Sequence, residues 1–243
     1  EIRFCDWSSD VCSSDLSLAP LTDFRRQFPD DTSLAAAQTQ VYVYSDKKNL
    51  YIASVCFETN DKPYVVESLK RDFLFTSNDN FSIIIDPYHS NQNGYVFSIT
   101  PFGVQREGQV INGGSAVTND IWDQKWQASV KRFDDKWIAE LSIPFSILRL
   151  RKGTDKWGIN FVRNNVKLNE VSSWAPVPIN QPYTKLGFAG ELQWEKTPEF
   201  PKPDFSFIPY AAFNLKKNHE LSEPSRTTAT VRQIGRASCR ERV

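Results

Sequence analysis

The chain has 243 residues, of which 40% are hydrophobic, 13% aromatic and 24% charged, and its 29 Lys and Arg residues balance 29 Asp and Glu residues. This hydrophobic fraction is typical of a globular domain and excludes a disordered chain, while no stretch reaches the roughly 18 uninterrupted apolar residues of a membrane-spanning helix. A net charge of zero gives no electrostatic reason to bind nucleic acid, so no nucleic-acid partner is expected.

The two ends of the chain are interpreted as foreign to the protein. Residues 6–16 and 234–243 match translations of the two arms of a sequencing-library adapter. Residues 1–16 and 234–243 are therefore interpreted as scars outside the fold and are expected to form tails or incidental helices. Because the sequence lacks Met, we expect a fragment or a processed chain, whose missing signal peptide carries no information about location. Three of the four cysteines lie in the scars, and the remaining Cys56 is predicted to be a small buried hydrophobic residue.

Between the scars the hydrophobic periodicity is two, which is typical of β-strands. The run 81–86 is nearly all apolar, as in a strand buried on both faces. Single helical turns are predicted at 63–69 and 144–148. The strands, separated by polar turns such as 46–49 and 89–94, are predicted at 41–44, 50–57, 81–86, 95–100, 126–132, 137–143, 157–163 and 190–194.

Short strands at this spacing, rich in aromatic and β-branched residues, predict an all-β fold, an antiparallel β-sandwich. Its core is predicted to contain Ile83, Ile85, Val96, Leu141, Ile143 and Phe161.

The composition changes after Trp194. Three prolines in the seven residues 197–203 predict a stiff extended connector, and a new strand-like run begins at 205–213. We therefore expect an N-terminally truncated sandwich at 17–197, then a Pro-rich linker and the truncated start of a second β domain at 198–233.

No catalytic motif is recognisable in the sequence: it has no phosphate-binding loop, no nucleophile elbow and no paired-histidine metal motif. His89 and His219 fall in a predicted turn and a polar tail and are interpreted as solvated. A glycoside hydrolase needs two carboxylates about 5–9.5 Å apart across a cleft, and sequence spacing does not decide whether two of them form such a pair. The carboxylates concerned are Asp79, Asp86, Asp120, Asp123, Glu140 and Glu170, of which Asp79 and Asp86 are interpreted more economically as turn-forming residues.

Tryptophan is the most informative residue type. Trp137 and Trp157 begin alternating strands and are predicted to lie in the core. Trp122 and Trp174 lie in polar loops, where a ring either plugs the edge of the sandwich or presents a face to a sugar. Both alternatives stay open for these two residues.

Several segments resemble the family 9-like carbohydrate-binding modules. These are 79–86 followed by 93–97, then 137–145 and 157–163, while 101–105 and 172–178 are similar to one bacterial branch of N-terminal domains of long cell-envelope proteins. The resemblance covers about residues 17–197 and implies a β-sandwich. It also implies that the following domain is an outer-membrane β-barrel beginning near 205–213, and that the protein is secreted, periplasmic or in the outer membrane of a bacterium.

Sugar-binding members of that family clamp a terminal sugar between two tryptophans, with polar and charged side chains on the hydroxyls. Trp174 falls near the position of the second clamp residue. Segment 73–78 has no Trp where the first would stand, and Ser82 occupies the place of an acidic hydroxyl-binding residue. Some members bind structural calcium, but no Asp/Asn-rich loop of clear ligand spacing is present here, and no other cofactor is implied.

The resulting hypothesis is a non-catalytic carbohydrate-binding module that binds an oligosaccharide or polysaccharide, in glycan binding or carbohydrate catabolism. Its predicted site comprises Trp174 as the platform, Trp122 as its partner, and Arg163, Asn165 and Glu170 as hydroxyl-binding groups, with weak affinity. The alternatives are a docking sandwich attached to an outer-membrane barrel without sugar affinity, and part of a glycoside hydrolase. An accessible Trp pair in a groove favours sugar binding, whereas a capped groove with both rings buried favours docking.

Overall fold

The computed structural model describes residues 19–118, 122–148, 150, 154–194, 206–216 and 228–238, the last two ranges by their backbone alone. Strands dominate these ranges, joined by turns and short 3-10 segments. The strands are β1 (Arg25–Phe28), β2 (Thr39–Ser45), β3 (Asn49–Phe57), β4 (Asn80–Asp86), β5 (Gly94–Ile99), β6 (Gln105–Ile111), β7 (Ala116–Thr118), β8 (Gln127–Arg132), β9 (Lys136–Pro144), β10 (Lys156–Asn165), β11 (Glu170–Ser173), β12 (Gly190–Gln193), β13 (Ser206–Lys216) and β14 (Thr228–Ser238).

Two antiparallel sheets form the main unit. The smaller sheet has the strand order β2-β3-β9-β8. The larger sheet has the order β1-β11-β10-β4-β5-β6-β7. On the edge of β10 that faces away from β4, β12 pairs with the first part of the strand and β11 pairs with its last part. Apolar side chains from both sheets make one core between them, so the predicted antiparallel β-sandwich is confirmed.

The smaller sheet shows the alternation from which it was predicted. On β3, Leu50, Ile52, Ser54 and Cys56 are buried, whereas the alternate residues Tyr51, Ala53 and Val55 are half-buried. On the neighbouring β9, Leu141 pairs with Ile52 and points to the same side. One face of this sheet therefore lies in the core and the other lies outward. The predicted burial of Cys56, Trp137 and Trp157 is confirmed.

The larger sheet is buried on both faces. Every residue of β4 is buried: Phe81, Ile83 and Ile85 face the smaller sheet, whereas Ile84 belongs to a second apolar cluster on the outer face. Segments 72–78 and 175–188 supply Phe75, Tyr183 and Leu186 to that cluster and so cover the outer face. All six predicted core residues are buried, but Val96 lies in this second cluster rather than between the sheets.

Some local elements differ from the sequence prediction. Segment 63–69 has no helical turn, whereas a 3-10 turn at Phe145–Ile147 agrees with the turn predicted at 144–148. Strands β1, β6, β7 and β11 were not predicted. Three of them have only three or four residues, and β6 contains Arg106, Glu107 and Gly108, so none shows a clear period of two.

The chain divides into two compact units between residues 200 and 201. In the second unit β13 pairs with β14 in an antiparallel hairpin, and β13 covers most of the strand-like run predicted at 205–213. Residues 234–238, expected to form a tail or an incidental helix, pair as a strand with 206–210. Ladder hydrogen bonds use backbone groups, so an extended segment of any origin can make them. Residues 1–16 and 239–243 lie outside the described residues, and the adapter interpretation stays a prediction.

Within the described residues, no helix has the length and apolar character needed to cross a membrane.

Candidate functional site

The two tryptophans predicted as a sugar platform lie over different strands. Trp122 is 8% exposed, with its ring centroid 4.8 Å from that of Tyr95 and 5.6 Å from that of Phe97, both on β5. Trp174 is half-buried: its ring meets Phe161 of β10 edge-on at 5.9 Å and lies so close to Gly190 that a Cβ there would overlap it. Both rings pack at the core between the sheets. Their role as a platform stays a prediction, and it requires Trp122 to leave the core.

The three polar residues predicted to bind hydroxyls are also buried. Arg163 is 2% exposed and donates 2.8 Å hydrogen bonds to Glu58 Oε1 and to the carbonyl oxygen of Phe57. Glu170 is 5% exposed and accepts a 2.9 Å hydrogen bond from Arg26 Nε. Among the described residues, the buried amide of Asn165 has no hydrogen-bond partner. The charged members of the predicted site therefore hold the scaffold together in this structure.

An aromatic pair that the sequence analysis did not identify lies on the outer face of the larger sheet. Phe75 and Tyr183 stack face to face, with ring centroids 3.8 Å apart and planes inclined by 11°. Phe75 opens a 3-10 turn just before β4, in the segment where a clamp residue was expected and no Trp was found. Tyr183 lies in the loop that crosses the outer face after Trp174. We call Phe75 and Tyr183 the aromatic pair.

A row of polar side chains crosses the sheet beside the aromatic pair. Ser82 of β4 pairs with Ser98 of β5, and Ser98 pairs with Arg106 of β6, so all three project from the outer face. The two serine hydroxyl oxygens are 2.7 Å apart and hydrogen-bonded. Arg106 Nη1 donates to the Tyr183 hydroxyl oxygen at 3.4 Å. The hydroxyl row thus ends in a guanidinium that touches the aromatic pair.

Two buried amides fix the Phe75 turn in place. Asn80 and Asn164, neighbours across β4 and β10, donate hydrogen bonds to the carbonyl oxygen of Phe75 at 2.9 and 2.6 Å. Both also donate to the carbonyl oxygen of Asn78, at 2.7 and 3.1 Å. These donors hold the main chain of the Phe75 turn against the larger sheet, whereas Tyr183 is held by its ring and hydroxyl contacts.

Arg106 is the unusual charge of this site. It is 8% exposed, and among the described residues its guanidinium has no carboxylate in ion-pair contact and one hydrogen-bond partner, Tyr183. Its neighbour Glu107 points to the other face of the sheet, where it accepts hydrogen bonds from Arg71 and from Trp126 Nε1. Burial raises the pKa of the Tyr183 hydroxyl, and the Arg106 charge acts in the opposite direction. The hydroxyl therefore stays a neutral donor and acceptor.

The aromatic pair is closed in this structure. A sugar ring held between two aromatic faces needs them about 7–8 Å apart, twice the carbon–carbon contact distance, so 3.8 Å leaves no space between the rings. Phe75 is 7% exposed and Tyr183 is half-buried, so Tyr183 is the ring that solvent reaches. A ligand would have to stack on Tyr183 from outside or displace it.

Most of the carboxylates considered for hydrolysis have partners within the protein, and Asp123 is paired with Arg71 at 3.3 Å. Asp79 and Asp86 lie at the two ends of β4, and each accepts hydrogen bonds from two backbone N–H groups. The donors to Asp86 are the nearby Tyr88 and Asn91, which agrees with a turn-forming role. The donors to Asp79 are the distant Val65 and Val166, so the turn-forming interpretation of Asp79 is wrong and this carboxylate joins separate segments. Glu140 lies on the smaller sheet and Glu170 is paired with Arg26. Asp120 lies outside the described residues, as does His219, while His89 follows β4 in a turn. Among the described residues, no group of three or more His, Cys, Asp or Glu side chains could hold a metal ion.

The sequence contained only a weak signal for the aromatic pair. Tyr183 follows Pro182 in a loop without periodicity, and Phe75 is one of three phenylalanines between residues 73 and 81. An aromatic residue in a polar loop was the criterion that selected Trp122 and Trp174, and it applies equally to Tyr183. The two partners are 108 positions apart in the chain, 183 minus 75, so their contact is visible only in the folded structure.

No family model matches the sequence, and no curated protein matches it. The structure is similar to that of a protein assigned to carbohydrate binding from Bacteroides uniformis, with a TM-score of 0.60 and 13% identity over 73% of this chain and 87% of that chain. It is also similar to a family 9 carbohydrate-binding module from Caldicellulosiruptor kristjanssonii in complex with cellotriose, with a TM-score of 0.50 and 11% identity over 76% of this chain and 89% of that chain. This chain has the same fold. At such low identity the similarity concerns the fold alone.

Proposed function

We propose that the sandwich is a non-catalytic carbohydrate-binding module. Its site consists of the aromatic pair, Arg106 and the neighbouring serines Ser82 and Ser98. The observation that carries the proposal is a buried guanidinium that has no carboxylate partner among the described residues. It contacts a partly exposed aromatic ring, on the fold of a module that binds cellotriose. Aromatic faces stack on the C–H faces of sugar rings, while guanidinium and hydroxyl groups hydrogen-bond to sugar hydroxyls.

Binding would begin on Tyr183. A sugar that stacks on its outer face, or that displaces the ring from Phe75, brings hydroxyls within reach of the unused N–H groups of Arg106. The rigid Phe75 turn then forms the fixed wall of the site. If Tyr183 must move, the population of the open state lowers the apparent affinity in proportion, so binding is weak.

We extend the proposal to the partner and the location. An oligosaccharide or polysaccharide is the ligand class that fits stacked rings beside hydroxyl donors. A secreted, periplasmic or outer-membrane location in a bacterium, a role in carbohydrate catabolism and an outer-membrane domain after the Pro-rich linker are supported by the sequence resemblance.

A docking role without sugar affinity is the second candidate. The closed aromatic pair and the buried Trp122 favour it, because a capped face with its rings buried is what that role requires. Under this alternative the covering loops serve only to stabilise the larger sheet.

The deciding experiment is a titration of the full chain with cellotriose, xylotriose, maltotriose and mannotriose, followed by two-dimensional NMR. We expect at least one sugar to shift the Tyr183 and Arg106 resonances saturably, and Tyr183→Ala and Arg106→Gln each to weaken its binding at least tenfold. Tyr44→Ala, on the outer face of the smaller sheet, is the matched control and should leave that affinity unchanged. Binding lost in Trp174→Ala but kept in Tyr183→Ala would move the site to Trp174, and no binding of any sugar would favour docking.

A further inference from the structure

An open pocket lies at the β8 edge of the smaller sheet, where Gln105 of β6 and Trp126 complete its lining. Its volume is about 480 Å³, and the residues that matter to its chemistry are Gln105, Trp126, Gln127, Ser129, Glu140 and Ser142. We call it the Glu140 pocket. None of these residues belongs to the site proposed above.

The strand register explains why Glu140 points into open space. Leu141 faces the core, so Glu140 and Ser142 on either side of it project from the outer face of β9. Their cross-strand neighbours on β8 are Ser129 and Gln127. On the other side, β3 places the small Ala53 opposite Glu140. Small residues on both neighbouring strands leave a trough with the carboxylate at its centre.

The carboxylate of Glu140 lacks the partner that a buried oxygen normally has. Among the described residues, its Oε2 is buried and has no hydrogen-bond partner. Burial alone raises the pKa of Glu140 to about 7, since no neighbouring charge or hydrogen bond compensates it. Buried polar atoms in folded proteins are nearly always satisfied, and an exception in a pocket marks a position where a donor is missing.

We propose that the Glu140 pocket is a second binding site, for a neutral saccharide whose hydroxyl donates a hydrogen bond to the Glu140 carboxylate. A carboxylate accepts hydroxyl hydrogens at both oxygens, serine hydroxyls donate and accept, and glutamine amides supply two donors and an acceptor. This set, with the Trp126 ring at the wall, fits the hydroxyls and C–H surface of a sugar. The site is independent of the aromatic pair, so either can fail without the other.

The proposal implies a pH dependence of known sign. A hydroxyl that donates to the carboxylate favours the ionised form, so binding tightens as the pH rises through about 7. The charged or titratable residues that share this face are tyrosines and lysines, which are not the side chains that change charge near neutral pH. They are Tyr42 and Tyr44 on β2, Tyr51 on β3, Lys131 on β8 and Lys136 on β9. From the larger sheet, Glu107 accepts a hydrogen bond from Trp126 of the pocket and is paired with Arg71.

The test uses two-dimensional NMR of the full chain with cellotriose, xylotriose, maltotriose and mannotriose at pH 6 and pH 8. At least one sugar should shift the backbone amides of Ser129, Glu140 and Ser142 saturably, with a Kd up to about tenfold lower at pH 8, because the ionised fraction of a group of pKa about 7 rises about tenfold over that interval. Tyr183→Ala should leave these shifts unchanged, which separates the two sites.

Three variants complete the experiment. Glu140→Gln should weaken binding and abolish its pH dependence, and Ser129→Leu, which fills the trough from an exposed edge-strand position, should block binding at both pH values. Glu67→Gln removes an exposed carboxylate elsewhere and should change nothing. The absence of pocket shifts with all four sugars, unchanged binding in Glu140→Gln, or tighter binding at pH 6 would each overturn the proposal.

Discussion

The outer faces of the two sheets contrast sharply. On the larger sheet, loops cover the outer face and the polar side chains of Asn80 and Asn164 are spent on holding those loops. On the smaller sheet no described segment contributes to an outer apolar cluster, and Glu140 keeps an unsatisfied carboxylate oxygen. A buried polar side chain indicates a ligand only when its hydrogen-bonding capacity is unused. By that criterion Arg106 and Glu140 are informative, as is Asn165, whose buried amide has no partner among the described residues, whereas Arg163 and Glu170 are scaffold.

The largest expected effect is a loss of stability on truncating a side chain in the core between the two sheets. Phe161→Ala should lower the free energy of unfolding by about 3–5 kcal/mol, because a fully buried ring that packs against Phe81 is replaced by a cavity. Chemical denaturation measures the change. Phe188→Ala, at a 40% exposed ring, is the matched control and should cost well under about 1 kcal/mol. An equal loss in both variants would contradict the assignment of the core.

The next effect concerns Arg163 as scaffold rather than as sugar ligand. Arg163→Met should destabilise the fold by about 2–4 kcal/mol, because the Phe57 carbonyl loses a buried donor and the buried Glu58 carboxylate loses one of its two cationic partners, keeping Lys167. The double variant Arg163→Met/Glu58→Leu should recover part of that loss in the same denaturation experiment. A stable Arg163→Met protein that has lost only sugar binding would restore the site predicted from the sequence.

A smaller effect tests how the larger sheet holds its covering loop. Asn164→Ala should cost about 1–3 kcal/mol, because the carbonyl oxygen of Phe75 loses a buried donor. Hydrogen exchange should also speed up in segment 74–78. Asn93→Ala, at an exposed turn position, is the control. Unchanged exchange in segment 74–78 would mean that the sheet does not fix this turn.

The smallest expected effect concerns Glu140 on the outer face of the smaller sheet, where substitution should raise the free energy of unfolding instead of lowering it. The pKa of Glu140 is raised from its ordinary value near 4.5 to about 7, so the folded state binds a proton more tightly than the unfolded chain. The contribution of this group to stability is therefore complete below pH 4.5 and is lost as the pH rises towards 7. Glu140→Gln should stabilise the protein by about 1 kcal/mol at pH 8, after allowance for solvent screening, and should leave it nearly unchanged at pH 4.

Denaturation curves of the parent protein, Glu140→Gln and Glu67→Gln at both pH values measure that effect. Glu67→Gln should follow the parent at each pH. A loss of stability in Glu140→Gln at pH 8 would show that the carboxylate has a stabilising partner within the protein, which would also remove the argument for a ligand there.

Much of the fold was predictable because strand patterning is local. The alternation on β3 and β9 placed their side chains correctly, and the apolar run 81–86 indicated a strand covered on both faces. The nature of the cover was not predictable. Val96 was assigned correctly to the buried set, but its cluster depends on Tyr183 and Leu186, which arrive from a distant loop.

The β-sandwich, the buried Trp137 and Trp157 and the burial of Cys56 could be predicted without the structure, since they follow from the periodicity and composition of single strands. The folded structure shows which polar side chains hold the scaffold. Arg163 and Arg106 look alike in sequence, yet Arg163 is paired with Glu58, whereas Tyr183 is the one hydrogen-bond partner of Arg106 among the described residues. The reason is physical: a side chain's partners are set by contacts between strands and loops far apart in the chain, and no local pattern encodes them.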